Sequence, residues 1–483
     1  MKKLTLFAMI IGSYWPLNHC FAGSITWYDQ GDPLSTQTEL PPALSPEYLD
    51  AETGIACNGI NTEKALSLAD VAEAALCNNP QTSEAYANAK IQAAQLGVAK
   101  SAYLPTLTDN VGINTNVAIP SGTRGSLYSN LNNNIVASYL LYDFGNRDAN
   151  LENARQVLQA ASATQNATVQ NVLLATIKAY YQVQADVAAV SATQETERFN
   201  QESFNAAQAK YKAGVATPAD KLQAQTAYAQ ATLNRITAEG KLKTDYGILA
   251  NVMGLSANTS LKLVASNTQI IPNDIEQNIN ALMDLAHLRR PDLMATEAQI
   301  DAAKASVKAS QAASKPSISL GLSNNQQLGT NIGGNNNTAL GVTVSIPLFS
   351  GYSDSYKIQA AEATGELRTA QRDQLRLQIS LDVWTAYQNL HTATETIKSA
   401  GILVASAQES QRVALGRYKA GVGNIIDTLN AQAALASANQ QQIQAVLSWN
   451  IAKSTLAQSI GMLDNAMIQS LPEGKKIAKV VQP

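Results

Sequence analysis

Side chains able to do chemistry are sparse in this chain and spaced wrongly for catalysis. Its 483 residues hold three histidines and three cysteines. His287 and His391 have no cysteine, histidine or paired acid at ligand spacing, whereas a protein metal site gathers about three or four such donors. Neither a Gly-x-Ser-x-Gly elbow nor a phosphate-cradling glycine loop occurs. The expectation is therefore no catalytic residue, no metal and no cofactor: the protein is not read as an enzyme.

The remaining reactive groups speak of compartment. Lys2 and Lys3 precede an apolar run from Leu4 to Trp15 and a small-residue site ending at Ala22, the pattern of a secretory leader over 1–22. His19 and Cys20 fall within that leader. Acylation of Cys20 is the alternative, although Leu17-Asn18-His19 lacks the small residues of such a processing site. Cys57 and Cys77 then remain in a compartment that permits disulfides and are expected to pair. Two separate buried thiols are the other reading. The formal charge of −3, with 15% charged residues and no long basic cluster, leaves no footprint for nucleic acid.

One charged and aromatic pattern recurs. Tyr211-Lys212-Ala213-Gly214-Val215 returns as Tyr418-Lys419-Ala420-Gly421-Val422, and an aspartate, Asp220 or Asp427, stands nine residues beyond each tyrosine. The offset of 207 also aligns Leu222 with Leu429 and Gly254 with Gly461. Upstream the offset becomes 211, which pairs Asn79-Pro80 with Arg290-Pro291 and Pro105 with Pro316. The chain is a tandem duplication, and the change of offset puts a loop between Pro105 and Leu141.

The elements that carry this pattern are mainly helical. Leu68 to Tyr103 reads as helix ending near Pro105. Alternating apolar and polar residues then predict strand pairs at about 106–119 with 132–143, and at about 317–324 with 339–349. Pro120 to Gly125 and the stretch Asn331 to Asn337 read as the intervening loops. Tyr103, Tyr139, Tyr142, Phe144, Phe349 and Tyr352 sit near the strand ends, as in the aromatic girdles of a membrane barrel. Four strands cannot close a barrel alone, so the barrel reading requires several chains.

Proline-free helices are predicted from about Asp148 to Lys212 and Ser355 to Lys419, on the order of 100 Å each at 1.5 Å per residue. In the first, Leu151, Leu158, Val172 and Ala179 mark one apolar stripe, and Leu173, Ile177, Tyr180 and Val183 an adjacent one. Two seams imply a neighbour on each side. Shorter helices return after turns at 211–220 and 418–427 and end near Gly254 and Gly461. The predicted organisation is a leader (1–22), an extension (23–64), a first repeat (65–254), a linker (255–280), a second repeat (281–463) and a tail (464–483).

From Ala65 to Leu463 the sequence resembles the TolC-like outer-membrane efflux family. The resemblance rests on the two proline turns, Tyr103-Leu104-Pro105, Ile346-Pro347-Leu348-Phe349-Ser350-Gly351 and the paired Tyr-x-x-Gly tips, in the same order twice. It implies a homotrimer with a twelve-stranded barrel in outer-membrane lipid and an α-helical tunnel across the periplasm. Through that duct an inner-membrane transporter and a periplasmic adaptor would pass cargo outward, as in tripartite efflux or type I secretion. Gly214, Val215, Gly421 and Val422 would face the adaptor. The resemblance makes Tyr418, its partner Asp220 and the axial Asp427 the gate. Gly423 and Asn430 stand where the family has an arginine and a second aspartate, so the same salt-bridge latch is not expected. An adaptor with a single hairpin, or a structural coiled coil without strands, fits two hairpins and two strand pairs less well.

Overall fold

The structure, a computed structural model, describes residues 32–40, 64–118, 126–264, 278–329 and 332–463. The leader, Cys20, Cys57, the loop expected at 120–125, half of the linker and the tail lie outside them.

The same series of elements is written twice. In the first copy α1 (Leu68–Asn78) and α2 (Pro80–Ser101) lead to β1 (Thr106–Ala118) and β2 (Ser126–Tyr142), then α3 (Asn146–Lys212) and α4 (Pro218–Val252). In the second, α5 (Ile279–Arg289) and α6 (Pro291–Ala313) lead to β3 (Ser317–Gly329) and β4 (Ile332–Ser345), then α7 (Ser353–Lys419) and α8 (Ile425–Ser459). The single helix expected from Leu68 to Tyr103 is broken, because Asn79 and Pro80 start a new one. The Asn79 side chain caps it by accepting from Gln81 N–H at 2.9 Å, and Pro80 occupies the first helical position, where no N–H is needed.

The strands are longer than their sequence pattern. The loop expected over Asn331 to Asn337 is corrected: from Ile332 onward this stretch is β4, and Asn335, Asn336 and Asn337 pair with Gln327, Gln326 and Asn325. The strand expected to run to 349 ends at Ser345, and β2 begins at Ser126 rather than near 132. Asparagine and glycine disfavour strands on average, but the ladder with β3, which satisfies the backbone groups along the inner side of β4, overrides that preference. The four strands form one antiparallel sheet in the order β1-β2-β3-β4, and β1 and β4 are its edges. Rows across it alternate in character: Tyr139, Leu320 and Val342 share one row, and Ser138, Gly321 and Gly341 the next.

α3 and α7 are each 67 residues long, on the order of 100 Å. α3 packs on α2 and α4 along one side and on α6 and α8 along the other, as its two apolar stripes require. α2 and α4 meet end to end beside it. There the Asn79 amide donates to the Val252 carbonyl at 2.9 Å. The largest core gathers at this waist, where Leu68, Val71, Leu76, Leu173, Ile177, Tyr180, Val183, Leu249 and Met253 are buried. A matching core in the second copy holds Leu282, Leu293, Ile379, Val383, Leu390 and Leu456. No helix among the described residues is long and apolar enough to cross a membrane.

Candidate functional site: the helical hairpin tips

The far end of the molecule is built by two turns of the same design. Gly214 (φ +75°) and Gly421 (φ +79°) take the left-handed conformation just past α3 and α7, which lets Val215 N–H reach the Lys210 carbonyl and Val422 N–H reach that of Arg417, both at 3.0 Å. These bonds satisfy helix-end carbonyls that otherwise lack partners. Val215 and Val422 at the apices are 73% and 69% exposed. They present two apolar tips to whatever lies beyond.

The returning helices start differently, and this separates the two aspartates. Asp220 closes a capping box: its carboxylate accepts from Thr217 N–H at 3.0 Å and from Thr217 Oγ1 at 2.9 Å. α8 is capped by Asn424, whose side-chain oxygen accepts from Asp427 N–H at 2.7 Å. The Asp427 carboxylate takes no part in a capping box and is exposed, as is Asn430 one turn on.

The two tyrosines also diverge. Tyr211 is 40% exposed, with Lys221 Nζ 5.6 Å from its ring centroid. Tyr418 is buried against Ala207, Ala224 and Ile425, so it joins the second hairpin to the first. Its hydroxyl has no hydrogen-bond partner among the described residues. Burial, together with the Asp220 charge, pushes its pKa up. Gly423 packs on the end of α7: a side chain there would begin 3.0 Å from Arg417 Cβ and 3.1 Å from Tyr418 N. The structure thus brings Tyr418 near Asp220 and Gly423, while Asp427 and Asn430 stand apart on the open face of α8.

Sequence reasoning missed Lys210. From the last turn of α3 its Nζ donates to the Tyr418 carbonyl at 2.7 Å and lies 3.9 Å from the Tyr418 ring centroid. The one available signal was the basic residue before the tyrosine in both copies, Lys210 and Arg417.

A family model described as outer membrane efflux protein matches residues 71–255 and again 282–462. The chain belongs to the outer membrane efflux protein family. It is 27% identical to CyaE of Bordetella pertussis, over 84% of this chain and 86% of that protein. With outer membrane protein TolC of Escherichia coli it shares 22% identity, over 86% and 87% of the two chains. Its fold is that of the Campylobacter jejuni CmeC outer membrane channel, with a TM-score of 0.73 at 16% identity, covering 83% of this chain and 88% of that one.

Within this member of the efflux protein family one further charge cluster joins α3 and α4, with buried Asp186 and Asp245 held by an exposed Lys241. Lys241 Nζ lies 2.6 Å from Asp186 Oδ1 and 2.7 Å from Asp245 Oδ2. Burial pushes Asp186 up to about 6. The second copy has Ala393, Ser448 and Ala452 at the corresponding positions, so only one of the two hairpins carries this charge cluster. Among the described residues no three His, Cys, Asp or Glu side chains are placed to hold a metal ion.

Proposed function

We propose that this chain is one third of a homotrimeric duct in the bacterial outer membrane, the exit channel of a tripartite efflux pump or type I secretion system. The observation that carries the reading is a pair of unused seams on opposite sides of one chain. Among the described residues α3 has neighbours on both sides along its length, whereas α7 packs extensively on α5, α6 and α8 and meets the first hairpin at the tip, through Tyr418. Its other side leaves Leu367, Leu377, Leu381, Trp384 and Ile402 exposed. At the opposite boundary Ile91 and Val98 of α2 and Leu222, Leu233 and Ile236 of α4 are exposed. The contact that α3 makes with α6 and α8 is therefore available again between α7 and the α2 and α4 of the next chain.

The sheet supports the same step. β2 pairs with β3 across the two copies, and β4 would pair with β1 of the next chain. Open edges and an apolar face over Val111, Ile113, Leu340 and Val342 suit a barrel in lipid, and single-chain barrels need about eight strands or more. Three chains supply twelve. The rods would then enclose a periplasmic tunnel about 100 Å long, with the tips Gly214, Val215, Gly421 and Val422 toward a periplasmic adaptor and inner-membrane transporter. Tyr418, Asp220, Gly423, Asp427 and Asn430 would form the aperture, with three copies of Asp427 facing the axis.

Mass measurement of the detergent-extracted protein, followed by planar-bilayer recording, tests this. A trimer that conducts is the expected result. A folded monomer with channel activity would overturn it.

A further inference from the structure

We infer that Lys210 holds the second helical hairpin of each chain onto the first and so sets the resting width of the aperture, acting through the ring face and main-chain carbonyl of Tyr418 rather than through its hydroxyl. The inference rests on the channel reading above and names a gate residue outside it.

The geometry gives Lys210 two partners on one residue 208 positions away. Its ammonium donates to Tyr418 O at 2.7 Å and stands 3.9 Å from the ring centroid. That carbonyl lies in the last turn of α7, at the negative end of the helix dipole, where a cation is favoured. The ring face is the electron-rich part of the phenol and attracts the same charge. The hydroxyl does neither job: it is buried and unpaired among the described residues. The Asp220 carboxylate that could have received it is engaged by Thr217. Gly423 supplies no cation from the second hairpin.

Little else glues the hairpins together at this level. The apolar contact has four buried members, Ala207, Ala224, Tyr418 and Ile425, with Phe204, Ala206 and Leu429 half-buried against them. Farther up, Gln432 Nε2 donates to Ser203 Oγ at 2.8 Å and to the Phe199 carbonyl at 3.4 Å, while Gln432 Oε1 and Gln411 Nε2 lack partners among the described residues. Both glutamines line a cavity of about 140 Å³ with Thr196 and Phe199. A polar, partly unsatisfied interface separates at low cost, because water can replace its hydrogen bonds. One cation bridging it then carries a large share of the hold.

The full-length protein in planar bilayers tests this by substitution. Lys210→Met keeps the aliphatic stem but loses charge and donor. It should raise resting conductance on the order of threefold or more, as the loss of a half-buried cation–π contact and a charge-assisted hydrogen bond would do. Lys210→Arg and Lys212→Met should stay at the wild-type level. Tyr418→Phe keeps ring and carbonyl, so Lys210→Met should raise conductance by the same factor in a Tyr418→Phe background as in the wild type, whereas a latch made by the hydroxyl predicts that the second substitution adds nothing. Unchanged conductance in Lys210→Met, or loss of its effect in the Tyr418→Phe background, overturns the inference. Should Lys210→Met not assemble, Lys210→Gln replaces it with the same expected opening, and unchanged conductance there overturns the inference equally. Reversal potentials keep the two readings apart: a wild-type protein that does not conduct refutes the channel, while a conducting, cation-selective wild type unaffected at Lys210 refutes the latch alone.

Discussion

A methyl group on Gly254 would lie 2.3 Å from the main-chain oxygen of Asn78. Gly254 follows the end of α4 and Asn78 ends α1, so this contact seats the returning helix on the break between α1 and α2. The second copy repeats it with Gly461 and Arg289, where the same methyl would lie 2.8 Å away. Both glycines also have positive φ, +73° and +71°.

Gly254→Ala is therefore expected to destabilise the protein by a few kcal/mol, combining a left-handed alanine with forced separation of two helix ends. Gly461→Ala should cost less, since its clearance is larger. Thermal unfolding of the assembled protein, compared with an exposed control such as Gly240→Ala, checks the order.

Asp427→Ala is expected to weaken cation selectivity and block by multivalent cations from the periplasmic side. Like charges brought together at an axis attract counter-ions. Asn430→Ala removes no charge and should change little. If Asp427 serves only the start of α8, the substitution would instead lower stability by about 0.3–1 kcal/mol with selectivity intact. Single-channel reversal potentials separate the two.

The Asp186 cluster predicts a pH-dependent stability. Its folded pKa, about 6, is raised above the usual carboxylate value near 3.9. Its favourable contribution is thus present below about pH 4 and is lost as pH rises through about 6. Asp245 is held low by its hydrogen bond from Asp186, so the titration belongs to the pair. Asp186→Asn should flatten the fall in unfolding free energy between about pH 4 and 7. Denaturation at several pH values measures it, and an unchanged slope would assign the titration elsewhere.

Cys77 is disulfide-bonded, and Cys57 is the expected partner. Non-reducing peptide mapping of exported protein should recover the Cys57–Cys77 peptide. Replacing both by serine should lower stability by about 3 kcal/mol on the chain-entropy account. Recovery of free Cys57 would direct attention to Cys20.

The sequence alone determined the order of elements, the duplication, the two rods and the position of their turns. These follow from signals within a few residues of where they act: proline at a helix start, glycine past a helix end, apolar residues on a repeating face. Tertiary structure decided how the two tips, built on one repeated Tyr-Lys-Ala-Gly-Val string, come to differ in burial. Tyr211 and Tyr418 share the following Lys-Ala-Gly-Val in sequence, yet Tyr211 is half-exposed and Tyr418 is buried against Ala207 and Ala224 of the other hairpin. Asp220 and Asp427 differ because Thr217 and Asn424 cap differently. Asn335 to Asn337 became strand because β3 lay alongside, which no local preference records. Lys210 meets Tyr418 across 208 residues. Such partners are set by how rods pack, and packing depends on surfaces that come together only when the whole chain has folded.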